Sequence, residues 1–228
     1  MGQKKLIRFN EINSFPNVLQ YPLDIKGKWK YFFKNKNPLI LELACGKGEY
    51  TVGLALIYPA KNYIGADIKG NRLWVGAKNC LDKKITNAAF LRTQIEKINN
   101  YFEPAEVDEI WITFPDPQLR KSKAKKRLTH PRFLRLYHQI LRPGGFIHLK
   151  TDSPDLYQFT KLVINTYKLN IVEDNPDVYS TKSLTPELNI HTHYEGLNIA
   201  KSNRIFYLCF TLPSVLDDND DNFYELIK

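Results

Sequence analysis

The stretch Pro38-Leu39-Ile40-Leu41-Glu42-Leu43-Ala44-Cys45-Gly46-Lys47-Gly48-Glu49-Tyr50-Thr51 reads as a short apolar strand, a glycine turn and the approach to a helix over 51–57. A brief apolar run bounded by turn residues suits a strand covered on both faces. Gly46 and Gly48 lack the Cβ that would keep a ligand away from the backbone. The same texture repeats downstream. A second strand is expected over 61–67, then a helix over 71–81 with Leu73, Trp74 and Ala77 on one face. A third strand falls at 88–91 and a fourth at 107–113, after the break at Glu103-Pro104. Thr129 is the expected N-cap of the next helix, with Pro131 in its first turn, where a missing N–H costs nothing. Phe133, Leu134, Tyr137, Ile140 and Leu141 follow at helical spacing. Arg142-Pro143-Gly144-Gly145 stops that helix before a fifth strand at 146–150, and Ser153-Pro154 opens another by the same cap-then-proline pattern.

Five such alternations imply an α/β fold: a mostly parallel sheet with helices on both faces and right-handed crossovers. The C-terminal part breaks the rhythm. Residues 169–172 and 204–212 are strand-like with no clear helix between them, so an antiparallel pair is expected there, joined by a long loop over 174–202. Residues 1–37 read as an extension packed on the main domain (38–213), with a short helix over 24–36 anchored by Trp29, Tyr31, Phe32 and Phe33. The acidic residues 217–221 place a solvated tail at 214–228.

Open α/β sheets bind ligands beyond the carboxyl ends of their strands, near the point where strand order reverses. Glu42 and Asp67 stand at two such ends. Asp67 is placed to bind ribose hydroxyls, and the glycine spacing alone suits NAD as well as S-adenosylmethionine. Glu42 separates the two. A carboxylate beside the glycine turn repels a pyrophosphate but attracts a cofactor that carries an ammonium and a sulfonium. The absence of a third glycine at Thr51 also counts against a NAD-dependent oxidoreductase.

The fourth strand ends in Thr113-Phe114-Pro115-Asp116-Pro117, where two prolines fix the backbone around Asp116. Six of the eight residues from Arg120 to Arg127 are basic, next to the expected cofactor turn. Phosphate contacts there would position a nucleic acid for reaction. The whole chain of 228 residues carries a net charge of +9, which favours polyanion association. Cys45, Cys80 and Cys209 show no CxxC spacing, which argues against a disulfide framework or zinc site and fits a reducing cytoplasm. No apolar run spans a bilayer, the start has no signal-peptide core, and Leu6 stands where a myristoylation signal needs Ser or Thr. His191 and His193 lack a third ligand in view, so no metal site is expected.

These segments together are similar to the bacterial tRNA (guanine-N7)-methyltransferase family, from about Leu39 to Phe210. The resemblance rests on Phe114-Pro115-Asp116-Pro117 with the basic run and Arg127-Leu128-Thr129, on Leu149-Lys150-Thr151-Asp152, and on Thr192-His193-Tyr194-Glu195. It implies a Rossmann-like class I methyltransferase that uses S-adenosyl-L-methionine to methylate guanine N7 in tRNA, with the variable loop as target. Glu42, Gly46, Asp67, Gln94 and Asp116 would line the cofactor site. Asp116 would also be catalytic. Arg120, Asp152, Thr192, His193, Tyr194 and Glu195 would hold the guanosine. The partner would be tRNA, with no membrane or metal, and the protein a monomer or homodimer. Where the family usually has an acid, Trp, Lys and Glu, this chain has Gln94, Gln118, Arg120 and Asp67. An exocyclic-amine methyltransferase is a rival, but Pro-Asp-Pro-Gln lacks its adjacent prolines and aromatic. So is an RNA-binding protein without activity, which would have no need of Glu42, Asp67 and Asp116.

Overall fold

The structure, a computed structural model, describes residues 2–181, 183–197 and 200–226. Residue 1 of the expected extension, 182 and 198–199 of the expected long loop, and 227–228 of the expected tail lie outside that set.

Among the described residues eight strands form one sheet: β1 Val18–Gln20, β2 Leu39–Leu43, β3 Asn62–Asp67, β4 Ala88–Arg92, β5 Val107–Thr113, β6 Leu141–Thr151, β7 Asn170–Asn175 and β8 Phe206–Thr211. Their spatial order is β1-β4-β3-β2-β5-β6-β8-β7. β1 to β6 are mutually parallel, and β8 runs antiparallel to both β6 and β7. β2 is buried along its whole length, its four apolar residues and Glu42 alike. The strand order reverses between β2 and β5, which sets the carboxyl ends of those two strands as the ligand-binding edge.

The helices are α1 Gly2–Glu11, α2 Trp29–Phe32, α3 Glu49–Ile57, α4 Gly70–Asp82, α5 Pro131–Ile140, α6 Pro154–Thr166 and α7 Asp221–Leu226. α3 starts directly from the glycine turn. Gly48 caps it in the left-handed region at φ +72°, and a Cβ there would lie 2.5 Å from the Phe90 ring. α5 and α6 both carry proline in the first turn. Ser153 caps α6 by accepting from the Leu156 N–H at 3.2 Å. The cap of α5 is His130, whose Nδ1 accepts from the Arg132 N–H at 3.1 Å. Thr129, the expected cap, is buried one residue too early and pairs its hydroxyl with Thr160 at 2.8 Å. Burial pushes the His130 imidazole down to about 4, which keeps it neutral and able to accept.

The first 37 residues contribute to the sheet itself, because β1 pairs with β4. The helix expected over 24–36 shrinks to the single turn α2. Gly27 lies before it at φ +73°, and Lys34 after it turns left-handed at φ +56°. Trp29 is the anchor, stacked on Phe102 and donating from its indole N–H to the Tyr101 carbonyl at 2.8 Å. Tyr31, expected as an anchor, points to solvent. Trp74, expected in the core, is half-buried beneath α1, with the Arg8 guanidinium over its ring and its N–H donating to the Glu11 carboxylate.

The acidic end is not simply solvated. Asp220 pairs with Arg135 at 2.5 Å and accepts from the Tyr167 hydroxyl. Phe223 is fully buried against His130, Phe159 and Tyr167. The apolar side chain of α7 outweighs the local run of charge, a contact that no short-range pattern reveals. Phe223→Ala is expected to cost about 3 kcal/mol in urea unfolding, with Leu226→Ala, on the exposed face, near neutral. Equal small losses would mean that the tail does not pack.

Candidate active site

A cleft of about 750 Å³ opens over the carboxyl ends of β2 to β6. Its floor is the glycine turn. Ala44 and Gly46 both adopt left-handed backbone, at φ +55° and +58°. The turn is tied to β3 at two points: the Cys45 N–H donates to the Ala66 carbonyl at 3.1 Å, and the Gly46 N–H to the Asp67 carboxylate at 3.0 Å. The second Asp67 oxygen accepts from the Lys69 N–H at 2.8 Å.

Glu42 lies at the centre of this wall, 3% exposed. One carboxylate oxygen accepts from the Thr51 N–H at 2.8 Å and from the Thr51 hydroxyl; the other accepts from the Thr113 hydroxyl at 2.6 Å. Glu42 thereby joins the end of β2 to the start of α3 and to the end of β5. Burial raises its carboxyl from 4.5 to about 7, against the lowering effect of the Thr113 and Thr51 hydrogen bonds.

Beyond Thr113 the chain turns sharply. Phe114 and Gln118 bracket the Pro115-Asp116-Pro117 segment in left-handed conformations, φ +46° and +48°. Such backbone is costly for bulky residues and persists where surrounding contacts enforce it. Those contacts are visible. The Phe114 N–H donates to the Lys150 carbonyl at 2.8 Å, Gln118 donates from its N–H to the Asp116 carboxylate at 3.0 Å, and Arg127 donates to the Pro117 and Gln118 carbonyls at 3.1–3.3 Å. Arg127, at the end of the basic run, is buried with its guanidinium over the Phe159 ring. Asp116 is held this way with its side chain exposed into the cleft.

Glu42, Gly46, Asp67, Gln94 and Asp116 all line the cleft, as do Asp152, Thr192 and Tyr194. The Tyr194 ring edge comes within 3.6 Å of where a Cβ on Gly46 would sit, and the Arg72 guanidinium lies 5.4 Å over that ring. Asp152 accepts from the Ala200 N–H at 3.3 Å; the helix cap beside it is Ser153, not Asp152. Three expected residues stand apart. Arg120 is exposed at the start of a turn over Lys121–Lys126, and Lys126 reaches the cleft instead. His193 packs edge-on to Tyr194 on the outer side. The Glu195 carboxylate turns inward to Lys150. Thr51, Thr113 and Lys150 are site-building residues whose roles sequence reasoning missed: Thr51 meets Glu42 nine residues back, while Thr113 and Lys150 meet partners tens of residues away that no local pattern marks. Among the described residues no group of three or more His, Cys, Asp or Glu could hold a metal ion, and no helix is long and apolar enough to cross a membrane.

A mostly parallel sheet with an antiparallel β8 at one side and a cleft over its reversal point is the Rossmann-like fold of class I methyltransferases. The solved structure of the 16S rRNA methyltransferase KamB has this architecture, with TM-score 0.62, 13% identity, and 82% of this chain and 94% of that one covered. Residues 36–208 match the family model described as "Putative methyltransferase". The tRNA (guanine-N(7)-)-methyltransferase of Bacteroides thetaiotaomicron is 44% identical over 96% of this chain and 91% of its own length. That of Porphyromonas gingivalis is 46% identical over 88% and 86%. The chain belongs to the tRNA (guanine-N(7)-)-methyltransferase family.

The buried Glu42 gives a pH signature. Its folded value lies above its free value, so its contribution to stability is full below about pH 4.5 and is lost as pH rises through about 7. Between about pH 5 and about pH 8, Glu42→Gln is expected to gain on the wild type by about 2–3 kcal/mol in chemical denaturation. Parallel stability curves for the two proteins would contradict the burial argument.

Proposed function

We propose that this protein transfers a methyl group from S-adenosyl-L-methionine to N7 of a guanosine in tRNA. The observation that carries the reading is the convergence of Glu42, Asp67 and Asp116 from three parallel strand ends on one cleft, in a chain of this family. The donor set fits the cofactor. Asp67 stands where ribose hydroxyls bind, the Gly46 cradle admits a close backbone approach, and the Glu42 carboxylate suits an ammonium. Gln94, exposed at the end of the β4 turn, keeps the hydrogen-bonding capacity for an adenine edge where the family usually carries an acid.

Bound S-adenosylmethionine supplies a methyl group on a cationic sulfonium. Guanine N7 carries a free lone pair, so the N–C bond can form as the C–S bond breaks without prior proton removal. The residues then have two tasks, alignment and charge stabilisation. Asp116 can accept from guanine N1–H and the exocyclic amine, two donors no other common base shows together, and it faces the positive charge that develops on the ring. Asp152, Thr192 and Tyr194 complete the guanosine wall. Arg120 and the exposed lysines of the Lys121–Lys126 turn lie beside this mouth, suited to phosphates of a substrate larger than one nucleotide. The resemblance supports the variable loop as the target, and a tRNA substrate is in keeping with a cytoplasmic enzyme.

Incubation with methyl-labelled cofactor and unmodified tRNA, followed by digestion, is expected to place the label in 7-methylguanosine. Label in another nucleoside would overturn the base assignment. Asp116→Ala is expected to lower kcat by about 100-fold while leaving tRNA Kd nearly unchanged. Equal losses in both would remove Asp116 from the catalytic role.

A further inference from the structure

Lys150, the penultimate residue of β6, is fully buried, yet its ammonium has no counterpart in the methyl-transfer chemistry. The alternation of β6 puts Ile147 and Leu149 into one core and His148 and Lys150 toward the opposite face. A fold that needed only packing would place an apolar side chain there, because a buried ammonium is costly unless several acceptors meet it. Here they do. Nζ donates to the Leu188 carbonyl at 2.8 Å, the Ile190 carbonyl at 3.0 Å, the Tyr179 hydroxyl at 3.3 Å and the Glu195 carboxylate at 3.4 Å. The rings of Tyr50, Phe114 and Tyr179 surround it at 5.5–5.6 Å.

Three of the four acceptors belong to residues 188–195, the stretch that brings Thr192 and Tyr194 to the cleft, and the fourth is the Tyr179 hydroxyl of the turn at Val178–Ser180. Glu195 closes that stretch on itself: its carboxylate accepts from the Thr192 N–H at 3.4 Å, its own N–H donates to the Thr192 hydroxyl at 3.2 Å, and it also accepts from the Tyr179 hydroxyl. The other side of Lys150 faces the segment that bears Asp116, through the Phe114 ring and through its own carbonyl, which accepts from the Phe114 N–H. One ammonium therefore lies between the two walls.

We propose that Lys150 is a positioning residue that fixes the 188–195 segment to the sheet, through Glu195 and the loop carbonyls, so that Thr192 and Tyr194 stand at a set distance from Asp116. Glu195 serves in this strut, its side chain 7% exposed. The inference rests on the methyl-transfer reading of the cleft. The carbonyls of an irregular segment need donors that no strand or helix supplies, and a lysine with three N–H bonds meets several at once.

The test compares the wild type, Lys150→Met, Glu195→Gln and the double variant, all well below their melting transitions. Lys150→Met keeps the unbranched stem to within one atom of its length and removes its donors. It is expected to lose on the order of 100-fold in kcat with unmodified tRNA, with little change in cofactor Kd and a lowered melting temperature, since the loop carbonyls and the Glu195 carboxylate lose their donor. Chymotrypsin is expected to cut faster after Tyr194. Glu195→Gln should move the same readouts in the same direction, and the double variant should be no worse than Lys150→Met, as two members of one unit behave. Wild-type kinetics and cleavage in Lys150→Met, or losses that multiply in the double variant, would overturn the proposal. If Lys150→Met does not fold, Glu195→Gln and Tyr179→Phe carry the same readouts with the lysine in place. A wild type that does not methylate tRNA overturns the functional reading instead, and the cleavage comparison still decides whether the strut exists.

Discussion

A single buried carboxylate holds the site together. Glu42 needs hydrogen-bond donors because an unpartnered carboxylate inside the protein costs several kcal/mol. It finds them on Thr51 and Thr113, one in the first turn of α3 and one at the end of β5. The result is a triangular joint where the strand order reverses. The glycine turn cannot swing away without breaking it, nor can the Phe114–Pro117 segment, which leaves directly from Thr113. The same burial that raises the Glu42 carboxyl to about 7 makes it responsive to a cationic ligand, because a nearby positive charge restores the ionised form. In the proposed function the structural joint and the group that meets the cofactor's ammonium are therefore one side chain.

The parts of the fold that sequence reveals are those whose cause is local. β2, β3 and β5 are short, largely apolar runs ended by turn residues, and their bounds follow within a residue or so from composition. α6 begins where Ser153-Pro154 says it should. What escapes the sequence has a distant cause. β1 is three half-buried residues that become a strand only by pairing with β4, some seventy positions on. α7 exists because Phe223 finds a hole between α5 and α6. Thr129 looks like a cap by type, but Thr160 claims its hydroxyl and the next residue caps the helix with an imidazole kept neutral by burial. The site divides in the same way. Residues at strand ends, Glu42, Asp67 and Asp116, are placed by topology and legible. The loop over 174–202 offers no periodicity, so which of its side chains turn inward cannot be read from the chain.

The basic run shows how charge can mislead when taken as a block. Arg120 and Lys123 are exposed and free to meet phosphate, whereas Arg127 is buried, stacked on Phe159, and spends its donors on the carbonyls of Pro117 and Gln118. Burial lowers its guanidinium below the ordinary value, which is the mark of a structural group and not of one waiting for a polyanion. Lys125 is directed over the Tyr224 ring of α7. The run therefore combines an outer surface of exposed cations with an inner brace for the segment that carries Asp116.

That brace belongs to a wider pattern. Phe114 and Gln118 are held in left-handed backbone on either side of two prolines; Arg127 supports the segment from below, Lys150 from behind, and Glu42 fixes its point of departure through Thr113. Each device costs conformational freedom or strain, and none moves a proton. A reaction whose nucleophile is already a lone pair needs no general base, so the barrier left to lower is one of distance, angle and developing charge. A catalytic centre of that kind should concentrate its unusual features in the support of one carboxylate and not in an activated nucleophile. The left-handed backbone and buried charge of this cleft gather around the segment that bears Asp116, as the proposed function would have it.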